Sequence, residues 1–167
     1  RNEDDRLLAA VEEALHVGRL ANIPVQISHL KAQGQRNYWK ADAALKLIEQ
    51  ARADGVDVHF DRYPYTAYAT GLSNLFPSAY RTGGNEAFLR RLRDPESASR
   101  LEKACRDKVA LLGDWNSVQI SSTGASTAWA RGGLLGDLAR TRGIEPYALV
   151  LELLEDNGGS VGMIGHG

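Results

Sequence analysis

Apolar residues recur at helical spacing over residues 4–21, where Leu7, Leu8, Val11, Ala14 and Leu15 form one stripe behind Asp4 and Asp5. The same period returns over 38–54 through Ala41, Ala44, Leu45, Ile48 and Ala51, with Asn37 placed to cap the helix and Gly55 to end it. Between and after these helices the period changes to 2. Ile23–His29 and Val56–Asp61 read as strands, the first opened by Pro24. On the second, Val56, Val58 and Phe60 face one way while Asp57, His59, Asp61 and Tyr63 face the other. On the first, Val25, Ile27, His29 and Lys31 are expected to share a face. Strand, crossover helix and strand make a βαβ unit, whose strands run parallel.

The alternation then breaks. Residues 64–84 contain two of the five prolines and read as a long loop. Residues 85–110 are helical and charged, interrupted at Asp94-Pro95, with a basic amphipathic run over 86–93. A strand follows over 115–121, then short helices over 134–142 and 145–156, with Pro146 in the first turn of the second. Asn157-Gly158-Gly159 turns the chain into a last strand over 160–165. This pattern predicts the α/β class, as a partial (β/α)8 barrel covering roughly its second half with an inserted helical segment. The expected divisions are 1–67 as barrel units, 68–114 as loop and helical insertion, and 115–167 as later barrel units.

Composition narrows the functional classes. A net charge of −1 and a pI near 6.5 give no electrostatic footprint for nucleic acid or an anionic membrane. No apolar run approaches the roughly 20 residues that span a bilayer. Cys105, the single cysteine, excludes an internal disulfide, fits a cytoplasmic setting and reads as a helix-face residue with no base beside it. A start at Arg1, a stop at Gly167 straight after a strand-like run, and a length of 167 residues against ~250 for a whole barrel lead us to expect a piece of a longer protein.

The candidate chemistry sits at strand ends. His29 and His59 close neighbouring parallel strands, where α/β barrels keep their active sites, and two imidazoles there are placed to share one divalent metal. Asp61 shares the His59 face nearer the strand end, so it competes with His59 for that role. Lys31 offers a fixed cation for a substrate carboxylate and Tyr63 a hydroxyl for the same anion. Arg81 lies in the loop that could fold over them. His16 reads as a surface residue, the Ser121–Gly124 loop lacks a base, and His166 lies in a turn between Gly165 and Gly167.

Ser28-His29-Leu30-Lys31, followed by Asp61-Arg62-Tyr63-Pro64-Tyr65-Thr66-Ala67, resembles the N-acyl-D-amino-acid deacylases (D-aminoacylases), a branch of the metal-dependent amidohydrolase superfamily. The opening Arg1-Asn2-Glu3 and the closing stretch Val161–Gly167 look like further segments of those enzymes. The resemblance implies zinc as cofactor, held here by His29 and His59, with Lys31, Tyr63 and Arg81 on the substrate carboxylate. It implies an N-acyl-D-amino acid as substrate, beside the absence of nucleic-acid and membrane partners expected from charge and hydropathy. The family's His-x-His pair and its Cys or Glu ligand fall outside these residues, and its general-base aspartate is expected beyond Gly167. The chain by itself is therefore expected to be inactive, and to self-associate through open strand edges. Two other readings stay open: a cyclic-amide hydrolase of dihydroorotase or hydantoinase type, and a non-catalytic barrel fragment that binds a small anion or a partner subunit.

Overall fold

In the computed structural model, which describes residues 2–166, helix α1 (Leu7–Ala21) carries Leu7, Val11, Leu15 and Gly18 on its buried face. Their spacing of three and four residues puts them in one row. That row meets Ala44, Ile48 and Ala51 of α2 (Lys40–Ala53) and Val58 of β2 (Val58–Phe60), which together form one apolar cluster. α1 ends where Asn22 adopts φ 51° and its N–H returns to the Gly18 carbonyl, a left-handed cap. Gly18 is required by packing: a Cβ there would lie 2.6 Å from Val25 Cγ2. β1 (Val25–Ile27) pairs in parallel with β2, Val25 opposite Val58 and Ile27 opposite Phe60, as the βαβ pattern predicts. These elements make up a unit that ends at Tyr65.

Two local expectations change. The first strand stops at Ile27, not His29, because Asp61 intervenes: its Oδ1 accepts the His29 N–H at 2.5 Å and its carbonyl accepts the Leu30 N–H at 2.9 Å. These bonds turn the chain, and His29 takes φ 46°, a left-handed conformation that histidine enters more readily than most residues. The shared face expected of Val25, Ile27, His29 and Lys31 therefore ends at Ile27. Asn37 does not cap α2. It is buried in a 3₁₀ turn (Gln35–Asn37), donating to the Gln33 carbonyl and accepting from Lys40 Nζ.

From Thr66 the chain forms a second unit. Its sheet has the order β3-β5-β4, with β3 (Ala67–Gly71), β4 (Val118–Ser122) and β5 (Gly162–His166), and β5 runs antiparallel to both neighbours. Residues 115–167, expected to continue a parallel barrel, thus differ in strand direction. The last strand extends to His166, one residue past its expected end; Gly167, the expected far side of a turn there and the point beyond which the general-base aspartate is expected, lies outside the described residues, as does Arg1.

β3 falls inside the stretch 64–84 read as loop; its sequence lacks apolar alternation, and the strand forms because its backbone pairs along β5. The rest of that stretch makes 3₁₀ turns (Leu72–Leu75 and Ser78–Arg81) and buries Leu72, Leu75 and Phe76. Helices α3 (Gly84–Arg93), α4 (Pro95–Leu112), α5 (Leu135–Arg142) and α6 (Pro146–Asp156) complete the unit. α6 carries Pro146 in its first turn as the sequence predicts, and both α4 and α6 have an acidic cap, Asp94 or Glu145, immediately before a proline. Their apolar faces share one core with Val118, Ile120 and Met163 of the sheet.

Candidate functional site

The split on the second strand holds. Val58 is buried while Asp57, His59 and Asp61 are exposed. The His59 ring lies beside Asp57, Nε2 to Oδ1 3.1 Å, two residues apart on one face. In the parallel register His59 is opposite Gln26. Gln26 donates in turn to Asp61 Oδ2 at 2.9 Å, so both Asp61 oxygens carry a hydrogen bond from the β1 side. Those two donors, the His29 N–H first, hold the Asp61 carboxyl below its ordinary range, because each favours the ionised form.

His29 and Lys31 converge on a residue with no role in the sequence pattern. Glu3 Oε1 lies 2.7 Å from His29 Nδ1 and 2.5 Å from Lys31 Nζ. The Lys31 side chain is mostly buried, at 11% exposed, and its ammonium sits 5.5 Å from the centre of the Tyr63 ring. Tyr63 also stacks on Tyr65 at 6.4 Å and lies under the Arg62 guanidinium at 4.6 Å. Its hydroxyl is buried without a hydrogen-bond partner among the described residues. The structure thus brings His29 and Lys31 together on Glu3, with the Tyr63 ring beside Lys31. Acidic residues ahead of a helix ordinarily read as complements to its dipole, and that reading conceals Glu3. Its place in the Arg1-Asn2-Glu3 resemblance was the available signal.

The other candidates belong elsewhere in the chain. Arg81 is part of the second unit, in the turn Ser78–Arg81, where its Nε is buried without a hydrogen-bond partner among the described residues. His166 is the last residue of β5, in a strand and not a turn, with Nε2 3.3 Å from Gln119 Oε1. His16 is exposed on α1. Cys105 is fully buried in α4 and burial pushes its thiol up to about 12, so it is a neutral packing residue. Among the described residues no three His, Cys, Asp or Glu side chains gather into a metal-holding group. No described helix is long and apolar enough to cross a membrane.

No family model matches the chain. It is 44% identical over 72 residues to a D-aminoacylase of Alcaligenes xylosoxydans xylosoxydans, a match covering 43% of this chain and 15% of that protein. An N-acyl-D-glutamate deacylase of the same organism is 46% identical over 70 residues, 42% of this chain and 14% of the relative. Among solved structures, the N-acyl-D-glutamate deacylase of Bordetella bronchiseptica superposes with a TM-score of 0.68 at 25% identity, over 99% of this chain and 26% of that one. That structure is complexed with zinc and a phosphonate inhibitor that mimics the tetrahedral intermediate of the reaction. A D-aminoacylase with a binuclear metal centre matches at a TM-score of 0.65 and 27% identity, again over 99% of this chain and 26% of that chain. The chain therefore spans about a quarter of these solved proteins. By sequence over less than half of its residues and by fold over nearly all of them, the chain is similar to N-acyl-D-amino-acid deacylases, D-aminoacylases among them.

Proposed function

We propose that this chain supplies part of the active site of a zinc-dependent hydrolase that cleaves N-acyl-D-amino acids to a carboxylate and the free D-amino acid. The observation that carries the reading is the convergence of His29, Lys31 and Tyr63 at the carboxyl end of β1 and β2. The parallel β1–α2–β2 unit is then one segment of a (β/α)8 barrel, with residues 1–67 as its metal- and substrate-bearing part. The general-base aspartate of such an enzyme belongs beyond Gly167. Three relatives with matching sequence are named as deacylases or acylases of this substrate class, which favours the reading over hydrolysis of cyclic amides. A cytoplasmic setting, for which one buried thiol is suited, belongs to the same proposal.

The donor chemistry fits zinc. Neutral imidazole is a preferred ligand, and His29 turns Nδ1 to a carboxylate, which leaves Nε2 for a metal. His29 and His59 would hold the ion; the remaining ligands come from other parts of the protein, as the resemblance implies. When bound, zinc supplies a Lewis acid that polarises the amide carbonyl. The residues of this chain act on the other end of the substrate. Lys31 places positive charge where the α-carboxylate binds, and the burial of its side chain strengthens the attraction. The Tyr63 hydroxyl, a buried donor, hydrogen-bonds the same carboxylate and so fixes which face of the α-carbon meets the scissile amide.

Comparing N-acetyl-D-amino acids with their L-enantiomers and with hydantoins or dihydroorotate, in the zinc-loaded protein that contains this chain, tests the reading. Release of D-amino acid alone is expected, with Lys31→Met raising KM more than it lowers kcat. Equal turnover of L-substrates, or turnover confined to the rings, overturns it.

A further inference from the structure

Residues 2–6 are held in place by more polar contacts than a helix approach needs. Asn2 Oδ1 accepts from the N–H groups of Asp4 and Arg6 at 3.1 and 2.8 Å, which closes the turn ahead of α1. Arg36 forks onto both oxygens of Asp5 at 3.1 and 2.7 Å, and Lys40 Nζ donates to the Asp5 carbonyl at 2.8 Å. The Gln33 N–H donates to the Glu3 carbonyl at 2.6 Å. These bonds clamp Glu3 from both sides, and its side chain is 29% exposed against 58% for His29. The carboxylate is the fixed partner and the histidine ring the more exposed one.

We propose that Glu3 is a positioning residue: its clamped carboxylate accepts the Nδ1–H of His29 and so presents Nε2 of that ring as the bare nitrogen. The contact favours it. A carboxylate oxygen offers only lone pairs, so a ring nitrogen at an ion-pair distance of 2.7 Å is stabilised with the proton on it. The second nitrogen of a neutral imidazole is then unprotonated and available to a metal. Without Glu3 the ring reverts to the Nε2–H tautomer that free imidazole side chains favour, which cannot ligate through Nε2. The same oxygen also takes the Lys31 ammonium at 2.5 Å. Glu3 thereby sets the spacing between the proposed ligand and the proposed carboxylate-binding cation. The metal half of this inference rests on the zinc reading above; the tautomer half does not.

Nitrogen-15 NMR of the imidazole rings at about pH 8, on the alkaline side of the ordinary histidine range, reads the tautomer directly. The chain is expected to show His29 protonated at Nδ1. In Glu3→Ala that signature should pass to Nε2, and in Glu3→Gln, whose amide oxygen still accepts, it should be retained. Circular dichroism of the Gln variant guards against a fold defect. Lys31→Met should leave the tautomer unchanged. Zinc affinity is measured alongside, with a loss of about 10–100-fold expected for Glu3→Ala, the usual range for removing an orienting partner of a ligand histidine. A His29 tautomer identical in wild type and Glu3→Ala overturns the proposal, as does one that shifts with Lys31→Met. Unchanged zinc affinity in Glu3→Ala, with His29→Ala losing the metal, also overturns it while the zinc reading survives. A tautomer that responds to Glu3 in a chain that takes up no zinc upholds the positioning role and brings down the metal reading instead.

Discussion

The unit up to Tyr65 and the unit from Thr66 are built in opposite ways. The first has two parallel strands of three residues each and an apolar cluster in which three of the contributors are alanine or valine on α2 and β2. The second has three strands of five residues in an antiparallel ladder and a core filled by leucines of α4 and α6 and by Phe76, Phe88 and Met163. Yet the candidate chemistry is in the first. What fixes His29 and Lys31 there is a mesh of polar contacts through Glu3 and Asp61, more than sheet pairing. Where the apolar scaffold is thin, charged side chains take over the work of placing groups. Such a unit should be vulnerable both to core truncation and to acid.

Core truncation gives the largest effect. Ile48 of α2 and Leu101 of α4 are both fully buried. Either residue replaced by alanine should cost about 2–5 kcal/mol. Against a typical domain stability of about 5–15 kcal/mol, that loss weighs more on the smaller core. Ile48→Ala is expected to abolish hydrogen-exchange protection across α1 and α2 while α4 and α6 keep theirs. Leu101→Ala should leave the second unit folded, with faster exchange in α4 and α6. Loss of protection in both units at once for Ile48→Ala would break the comparison.

Gly18→Ala is a smaller and sharper test, since two effects of opposite sign compete. In a helix interior alanine is favoured over glycine by about 1 kcal/mol. Here the added methyl would stand 2.6 Å from Val25 Cγ2 and 3.4 Å from the Ile23 carbonyl, so α1 must move off β1. Overpacking of this kind costs about 1–3 kcal/mol, and the net change should be destabilising. Thermal unfolding followed by circular dichroism decides the sign. A raised midpoint would mean that α1 and β1 have slack, and that the first unit is less tightly docked than its polar mesh suggests.

The contrast between the units also explains what the sequence revealed. Helices with an apolar stripe were legible in both: α1, α2, α4 and α6 appear within a few residues of their expected bounds, and Pro95 and Pro146 mark real starts. The two strands of the βαβ unit were legible because Val25, Ile27, Val56, Val58 and Phe60 alternate. β3 was not, because Ala67-Tyr68-Ala69-Thr70-Gly71 has no such pattern and owes its extended form to β5, distant in sequence. Strand direction in the second unit was hidden for the same reason: periodicity reports that a strand exists, not what it pairs with. In the site, His29, Lys31 and Tyr63 were found from their types at strand ends. Their true arrangement was not, since the turn at His29 depends on Asp61, thirty-two residues later, and the convergence depends on Glu3.

Acid should produce the smallest and most specific effect, through Asp61. Its carboxyl titrates below the ordinary value because the folded chain donates the His29 N–H and the Gln26 amide to its ionised form. A group held lower in the folded state stabilises that state fully above its unfolded value, ordinarily near ~3.9, and loses the contribution as pH falls through the lower folded one. Stability of the first unit should therefore drop over that acid window, beyond what the second unit shows. Asp61→Asn removes this dependence. The asparagine oxygen can still accept one of the two N–H groups, but its NH₂ faces the other donor, so the turn at His29 loosens at every pH. The expected result is a variant weaker than wild type near neutrality, with the difference narrowing as the pH is lowered through the carboxylate range. Urea midpoints across that range, read from amide protection in β1 and β2, measure it. A constant difference between wild type and variant would show that the turn holds without the charge on Asp61, and that polar contacts position the candidate site less than the geometry implies.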